Sequence, residues 1–479
     1  MSRVFGFLRD ATIAFLLGAS RYADVFYVAF RIPNFLRDIL AENVMQTAFV
    51  PTYIKAREKD IHPEKFLRII FTIFLCASVV LTILGIIFTP QIVSLIAYGF
   101  RRIPDKFTLT VKVTRLTFPF LILVSVSALF QAVLNAFKRF FAPAISPTLF
   151  NISIVSLGIA AYFMLPQNYY IWAIAAGVIL GGIIQLSFLL FQIALLGIKP
   201  KITLTLKHPL LRQFGKLLVP VFLSTAFTRI TLFVNTLIAS FLREGSVAYL
   251  NYAFRIMHLP IGLFAVGVQT VSMPSITEAV TGDRDVGEPV WKSITYNILF
   301  TLPASLFILF DAHLLVKFLF ERGAFKNLDT LFTSQALVFY ALTILPTGIS
   351  KVFLNYYYAT SRIRIPNITM AVAALVNVLI ALTLSKTLSF PALALATASG
   401  VTLQAVILTL LVSRELPSPG DFPVTMVKII FQNLFPTFLI IVFRTSNPYV
   451  ELLVDSVLFG FTWYIMGIIF NFLPSPLRK

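Results

Sequence analysis

The 479 residues contain one cysteine, Cys76, and four histidines, His62, His208, His258 and His313, set far apart along the chain. Neither a disulfide framework nor a thiolate or imidazole cage for zinc can be assembled from them. Charge is scarce as well: Asp, Glu, Lys and Arg make up 12% of the residues while 58% are hydrophobic, which excludes an ordinary water-soluble globule. No long polar stretch is available to fold as an extramembrane catalytic or nucleic-acid-binding domain. Walker loops, GxSxG elbows and HExxH helices are missing. The i, i+4 carboxylates Asp38 and Glu42 have arginine beside them, which favours ion pairing over general acid work. The chain is expected not to be an enzyme. Its start also lacks a signal-peptide layout, because Arg9 and Asp10 interrupt the apolar region.

What is present is apolar sequence in lengths that cross a bilayer. Runs near 4–18, 23–54, 66–98, 108–137, 143–164, 169–197, 209–242, 247–277, 289–318, 330–360, 365–387, 390–413, 424–443 and 449–473 predict an all-α polytopic membrane protein of about fourteen helices. The formal charge of +19 suits anionic lipid head groups or an anionic substrate. Nucleic acid is excluded as a partner because the basic residues are scattered. With the N-terminus inside, the loops around 55–65, 138–139, 199–216 and 362–364 put more Lys and Arg on the cytoplasmic face, so both termini are expected there. Arg101, Arg102, Lys106, Lys112 and Arg115 fall on the opposite side and weaken that bias.

The most informative pattern is an internal repeat. Ala29-Phe30-Arg31-Ile32 recurs as Ala253-Phe254-Arg255-Ile256, Gln46-Thr47 as Gln269-Thr270, and Pro51 as Pro274. Ala136, Arg139 and Pro143 likewise line up with Ala359, Arg362 and Pro366, every pair lying 223 or 224 residues apart. About six helices fit in one period, an even number, so the halves share one orientation: two parallel six-helix lobes related by an axis along the membrane normal. The division expected is 1–200 for the first lobe, 201–415 for the second, and 416–479 for two added helices serving as a structural pair or as a lipid-facing groove. The repeat also predicts that ten to fifteen residues of apolar helix precede Met1, since residue 1 aligns near 224–229.

Charges inside the spans need a reason, because each costs ~2.5–3.5 kcal/mol at a helix centre. Arg9, Asp10, Asp24, Arg31, Arg37, Asp38 and Glu42 crowd the first two apolar runs. Asp24, Arg31 and Asp38 are spaced by seven, one stripe at helical period. Arg255, the repeat partner of Arg31, has no carboxylate within a turn. Arg3 and Arg229 start the two halves in matching places. Two readings stand side by side: an ion-pair network that only ties helices together, and a cationic cavity whose guanidinium groups take phosphate oxygens in pairs. In-span Gly6, Pro33, Pro119, Pro260, Gly262, Gly267, Pro303 and Pro346 fit helices that bend.

The N-terminal stretch Ser2-Arg3-Val4-Phe5-Gly6-Phe7-Leu8-Arg9-Asp10, then Ala23-Asp24, Pro33-Asn34-Phe35-Leu36-Arg37, Glu42 and Ala48-Phe49-Val50-Pro51 resembles MurJ-type lipid II flippases of the multidrug/oligosaccharidyl-lipid/polysaccharide exporter superfamily. Tyr252-Ala253-Phe254-Arg255, Pro260 and Phe320-Glu321-Arg322-Gly323-Ala324-Phe325 extend the resemblance into the second half. It implies movement of lipid II, an undecaprenyl-diphosphate-linked precursor, from the cytoplasmic to the outer leaflet of a bacterial inner membrane. It also implies a cavity lined by Arg3, Arg9, Arg37 and Arg255, with Asp24 functionally important; Arg31 joins them through the repeat, and Asp10, Asp38 and Glu42 are candidate gating or ion-pair residues. Membrane lipids and cell-wall synthesis proteins are the implied partners. Two departures stand out: Asn43 replaces a common glycine, and the positions where relatives hold sodium read Asn235, Asn377, Ala381 and Thr397, without a carboxylate. No cofactor is expected, and a coupling ion or the membrane potential is left as driver. The rival readings are a flippase for another polyprenyl-diphosphate glycan and a membrane-embedded glycosyltransferase.

Overall fold

The computed structural model describes residues 2–37, 45–443, 447–470 and 472, with all side chains among them except those of residues 2, 3 and 219–230. Every regular element among the described residues is helical. The first half holds α1 (Ser2–Leu17), α2 (Arg21–Arg37), α3 (Val50–Glu58), α4 (Pro63–Ile87), α5 (Thr89–Ile96), α6 (Pro104–Thr117), α7 (Phe120–Ala136), α8 (Phe141–Met164) and α9 (Tyr170–Ala194). The second half holds α10 (Leu211–Ser240), α11 (Ser246–Pro260), α12 (Val266–Thr281), α13 (Gly287–Phe320), α14 (Asn327–Ala341), α15 (Ile344–Ala359), α16 (Arg364–Leu388) and α17 (Pro391–Glu415). Helices α18 (Phe422–Val442) and α19 (Pro448–Ile469) complete the chain.

Eleven stretches among the described residues are long and apolar enough to cross a bilayer, and they coincide with the third to sixth and eighth to fourteenth apolar runs. The other three runs are helical over their described residues. In two of them α1 and α2 have only 16 and 17 residues, and in the third α10 runs over 30. Large apolar side chains face outward along the spans: Phe163 is 78% exposed and Met164 81%, a surface suited to hydrocarbon and not to water. Cys76 is on this outer surface as well.

Breaks in the helices fall where the sequence has proline or glycine. Pro119 separates α6 from α7, and a π-helical turn over Ile261–Ala265 follows Pro260 and divides α11 from α12. Helix α13 carries Pro303 and bends at Asp311, whose φ −105° and ψ 19° are non-helical. Proline also starts helices, at Pro63, Pro104, Pro391 and Pro448, where its missing N–H costs nothing. The side chain of Asn447 caps α19 by accepting from Tyr449 N at 3.0 Å.

Packing divides the chain into two compact units, residues 1–248 with 322–325, and 249–321 with 326–479. Helix α10, which the repeat counts with the second half, packs in the first unit against α5, the 3-10 turn Tyr98–Arg102 and the π turn Met45–Phe49. The first unit is centred on Phe49, Tyr53, Phe66, Leu129, Phe130 and Phe214, with Phe49 and Phe66 stacked at 5.9 Å. The second is centred on Trp291, Val352, Phe353, Tyr357 and Leu408. There α18 and α19 pack on each other and on α13, with Phe307 and Phe459 in ring contact at 5.5 Å.

Candidate functional site

The charges of the first two helices are organised, and each organised group has partners drawn from distant sequence. Arg9 on α1 donates through Nε and Nη2 to Asp10 Oδ1, at 2.9 and 2.8 Å, and through Nη1 to Asn151 Oδ1 of α8 at 3.2 Å. Its guanidinium carbon lies 5.7 Å from the Phe30 ring centre. Both members of the pair are largely buried, the side chains 13% and 4% exposed, so Arg9 and Asp10 neutralise each other while fastening α1 to α8.

Asp24 accepts three hydrogen bonds. Its Oδ2 accepts from Lys106 Nζ at 2.6 Å and from Gly245 N at 2.8 Å, and its Oδ1 accepts from Ala248 N at 2.9 Å. Asp24 therefore caps the N-terminus of α11 from outside that helix, adding negative charge at the positive end of its dipole. Lys106 is 3% exposed, with its ammonium 4.1 Å from the Phe100 ring centre. Its burial removes it from the charges that set topology, where the sequence reading had counted it. Beside this pair, Arg21 N donates to Glu244 Oε1 at 3.1 Å, and the two side chains form an exposed salt bridge.

Two turns farther along α2, Arg31 donates to Thr236 Oγ1 of α10, and Thr236 donates on to Leu232 O at 2.6 Å. The stripe read from the spacing of Asp24 and Arg31 is thus the face that α2 turns to α10 and the start of α11. Arg37 ends α2 half-buried, and Arg255 is half-buried on α11 in the second unit. Arg3 lies within α1 with its side chain outside the described residues, as do Asp38, Glu42 and Asn43 altogether. The first unit therefore brings together Arg9 with Asp10, and Asp24 and Arg31 with α10–α11.

The repeat offset reappears in space. Arg21 and Glu244 are 223 residues apart and Asp24 and Ala248 are 224 apart, so positions equivalent by repeat touch each other within the first unit. Two loops repeat the relation. Gly99 N donates to Ser240 Oγ at 2.9 Å, and a Cβ on Gly99 would run into the Ser240 carbonyl. Gly323, 224 positions later, lies against the carbonyl of Phe15, to which Ala324 N donates at 2.8 Å. Each loop thus seats on the last turn of the helix that opens the other half. Gly323 stood in the 320–325 stretch that carries the resemblance, whereas Gly99 and its pairing with Gly323 at the same offset went unread in the sequence.

These observations meet what is known of other proteins. The family model described as "Lipid II flippase MurJ" matches residues 13–459. The chain belongs to the MurJ family. It is similar to the "Lipid II flippase MurJ" of Burkholderia cenocepacia, 31% identical over 436 residues, 88% of this chain and 83% of that protein. The "Probable lipid II flippase MurJ" of Rhizobium meliloti is 33% identical over 413 residues, 84% of this chain and 74% of that one. A solved structure titled "Lipid II flippase MurJ, inward closed conformation" superposes with TM-score 0.86 at 27% identity, covering 98% of this chain and 97% of that one. An inward-facing MATE transporter of the MOP superfamily, 16% identical at TM-score 0.68 over 87% of this chain and 94% of that one, shares the fold alone. As a MurJ-family protein the chain is a multi-pass membrane protein.

The positions aligned with a sodium site do not fit one. Asn377 Nδ2 donates to Thr397 Oγ1 at 3.1 Å, and Thr397 donates to Leu393 O at 2.9 Å. Asn377 Oδ1 is buried without a hydrogen-bond partner, and Ala381 brings no donor atom. Neutral amide and hydroxyl oxygens without a carboxylate are a weak donor set for a hard cation. A second feature missed in the sequence is Lys351 of α15, inside a span, whose ammonium donates to Gln269 Oε1 at 3.2 Å. A period-based search centred on arginine passes over a single lysine.

Proposed function

We propose that this chain is a lipid II flippase, moving the undecaprenyl-diphosphate-linked precursor from the cytoplasmic to the outer leaflet of a bacterial inner membrane by alternating access. Membership of the MurJ family across residues 13–459 carries the choice of substrate. The charge distribution agrees: a diphosphate needs guanidinium partners in a dry setting, and arginine recurs at repeat-related Arg31 and Arg255. The family resemblance offers Arg3, Arg9, Arg37 and Arg255 to the diphosphate, with Arg31 added by the repeat; Arg9 also donates to Asp10 and Asn151, which positions α1. The chain is a transporter and not an enzyme, and Asp10 and Asp24 serve as structural counter-charges.

Both termini are assigned to the cytoplasm by the basic loops. The α1–α2 and α10–α11 turns then lie at the periplasmic end, where the clamp around Asp24 joins them. Head-group entry from the cytoplasmic side neutralises the arginines and favours the state open to the periplasm, since a ligand shifts an equilibrium only by its differential affinity. Two elementary charges moving outward gain ~2.3 kcal/mol each per 100 mV of inside-negative potential, which makes the potential a sufficient driver. The test is lipid II flipping in proteoliposomes together with growth of a strain lacking its own lipid II flippase. Arg255→Ala is expected to fold and to lose flipping; normal flipping by that variant would remove Arg255 from the site. Failure of the unaltered chain to restore growth would transfer the assignment to another polyprenyl-diphosphate glycan.

A further inference from the structure

A crevice of ≈ 770 Å³ lies in the second unit between α12 and α13 and has no part in the reading above. That volume is within the ~300–1,000 Å³ range of ligand cavities. Its two ends differ in chemistry. At the α12–α13 turn it is lined by Glu278, Arg284, Asp285, Glu288 and Lys292, and farther along the helices by Leu263, Val271 and Phe300. The rise from Glu288 to Phe300 is about 18 Å at ~1.5 Å per residue, close to the ~15 Å of one leaflet's hydrocarbon. Midway, Gly267 leaves open space, for a Cβ built there meets nothing within 4 Å.

We propose that this crevice holds one bilayer phospholipid whose head carries a phosphate and a primary ammonium, with an acyl chain laid along the apolar end. The charges choose the head group. Two cations stand with three carboxylates, and among the described residues no salt bridge joins them to one another. Asp285 is tied to the turn, its Oδ1 accepting from Gly287 N at 2.8 Å. Arg284 and Lys292 take the phosphate oxygens, and Glu278 and Glu288 accept from the ammonium. A head group with negative charge alone meets more carboxylate than cation here, which turns away anionic phospholipids and polyprenyl diphosphates. A quaternary ammonium has no N–H to donate. The inference needs only a bilayer around the chain, so it stands or falls separately from the substrate reading.

Native mass spectrometry of the full chain, released from micelles containing phosphatidylethanolamine, phosphatidylglycerol and phosphatidylcholine with identical acyl chains, tests this. One phosphatidylethanolamine is expected to be retained about ten-fold over the other two, the worth of one charge-assisted hydrogen bond. Gly267→Leu fills the crevice and is expected to abolish that retention, while Gly267→Ala keeps it; size-exclusion and thermal unfolding check that both fold. Glu288→Lys, at the mouth, is expected to turn the preference toward phosphatidylglycerol. Equal retention of the three lipids, unchanged retention in Gly267→Leu, or unchanged preference in Glu288→Lys overturns the proposal. So does a polyprenyl diphosphate displaced by Gly267→Leu.

Discussion

Replacing Asp24 tests whether the pair with Lys106 acts as one unit. Asp24→Ala leaves the Lys106 ammonium buried without a counter-charge, a loss of ~3–5 kcal/mol. It also leaves the Gly245 and Ala248 N–H groups without their acceptor, about 1 kcal/mol more as a lost helix cap. The Phe100 ring returns part of this, on the order of 1–2 kcal/mol for a desolvated cation. Lys106→Met leaves a buried carboxylate that still accepts two backbone N–H groups, so its loss is smaller, ~3 kcal/mol. Asp24→Asn with Lys106→Met removes both charges and keeps an acceptor for the cap, and is expected within ~1–2 kcal/mol of the unaltered chain. Unfolding in detergent, followed by temperature or denaturant, measures all three, and the coupling in the double-mutant cycle is the deciding quantity. Additive losses, with the double variant no better than the sum of the singles, would refute the reasoning.

At the loops, Gly323→Ala pushes a Cβ toward the Phe15 carbonyl from a residue at φ +61°. It is expected to lower the yield of a disulfide between cysteines placed at positions 21 and 244, and Gly99→Ala to do the same through Ser240; unchanged yields would separate the loops from the clamp. Arg9→Lys exchanges a planar fork for a compact ammonium that does not span Asp10 and Asn151 together, and should cost ~1–3 kcal/mol in thermal unfolding, with Asn151→Leu losing about the same from the other side. In proteoliposomes, a diffusion potential negative on the substrate-loading side is expected to speed flipping, and reversing its sign to slow it; a rate indifferent to sign excludes the potential as driver.

The architecture was legible because its signal is long-range and simple: hydrocarbon-length apolar runs, and a 223–224 residue offset carried by Phe30-Arg31-Ile32 and Phe254-Arg255-Ile256. The polar face of α2 was legible for a similar reason, since Asp24 and Arg31 are two turns apart on a helix whose period is fixed. Partners were not legible. Lys106 lies 82 residues from Asp24, and Asn151 lies 142 from Arg9, in helices whose facing surfaces no local pattern reports. Lys106 even counted against the topology, because a cation in a loop-proximal segment cannot be told from a buried one by position. The seventh apolar run shows the other limit. Ancestry placed α10 with the second half, whereas its packing partners are α5 and the turns around Tyr98 and Met45. A repeat records how a chain arose, and the packed unit records which surfaces now match.

The placement of the partners also bears on what the clamp costs to open. Asp24 and Lys106 both belong to the first repeat, while Gly245 and Ala248 belong to the second. If the repeats part at this end during transport, as proposed, Asp24 keeps its counter-ion and gives up only two backbone donors, each able to take a water in exchange. No bare charge is created in the membrane, so the ~3–5 kcal/mol of a broken buried pair is avoided. What must be supplied is the loss of two hydrogen bonds to a carboxylate, at ~1.5–3 kcal/mol each, and of the exposed Arg21–Glu244 pair, worth ~0–1 kcal/mol, together with the seating of the two loops. Shifting a two-state equilibrium from 1:99 to 99:1 takes ~5.5 kcal/mol. Two charges crossing 100 mV provide ~4.6 kcal/mol, the same order. A clamp built on a buried arginine and carboxylate split between the repeats would exceed that. Asp24 paired within its own repeat does not.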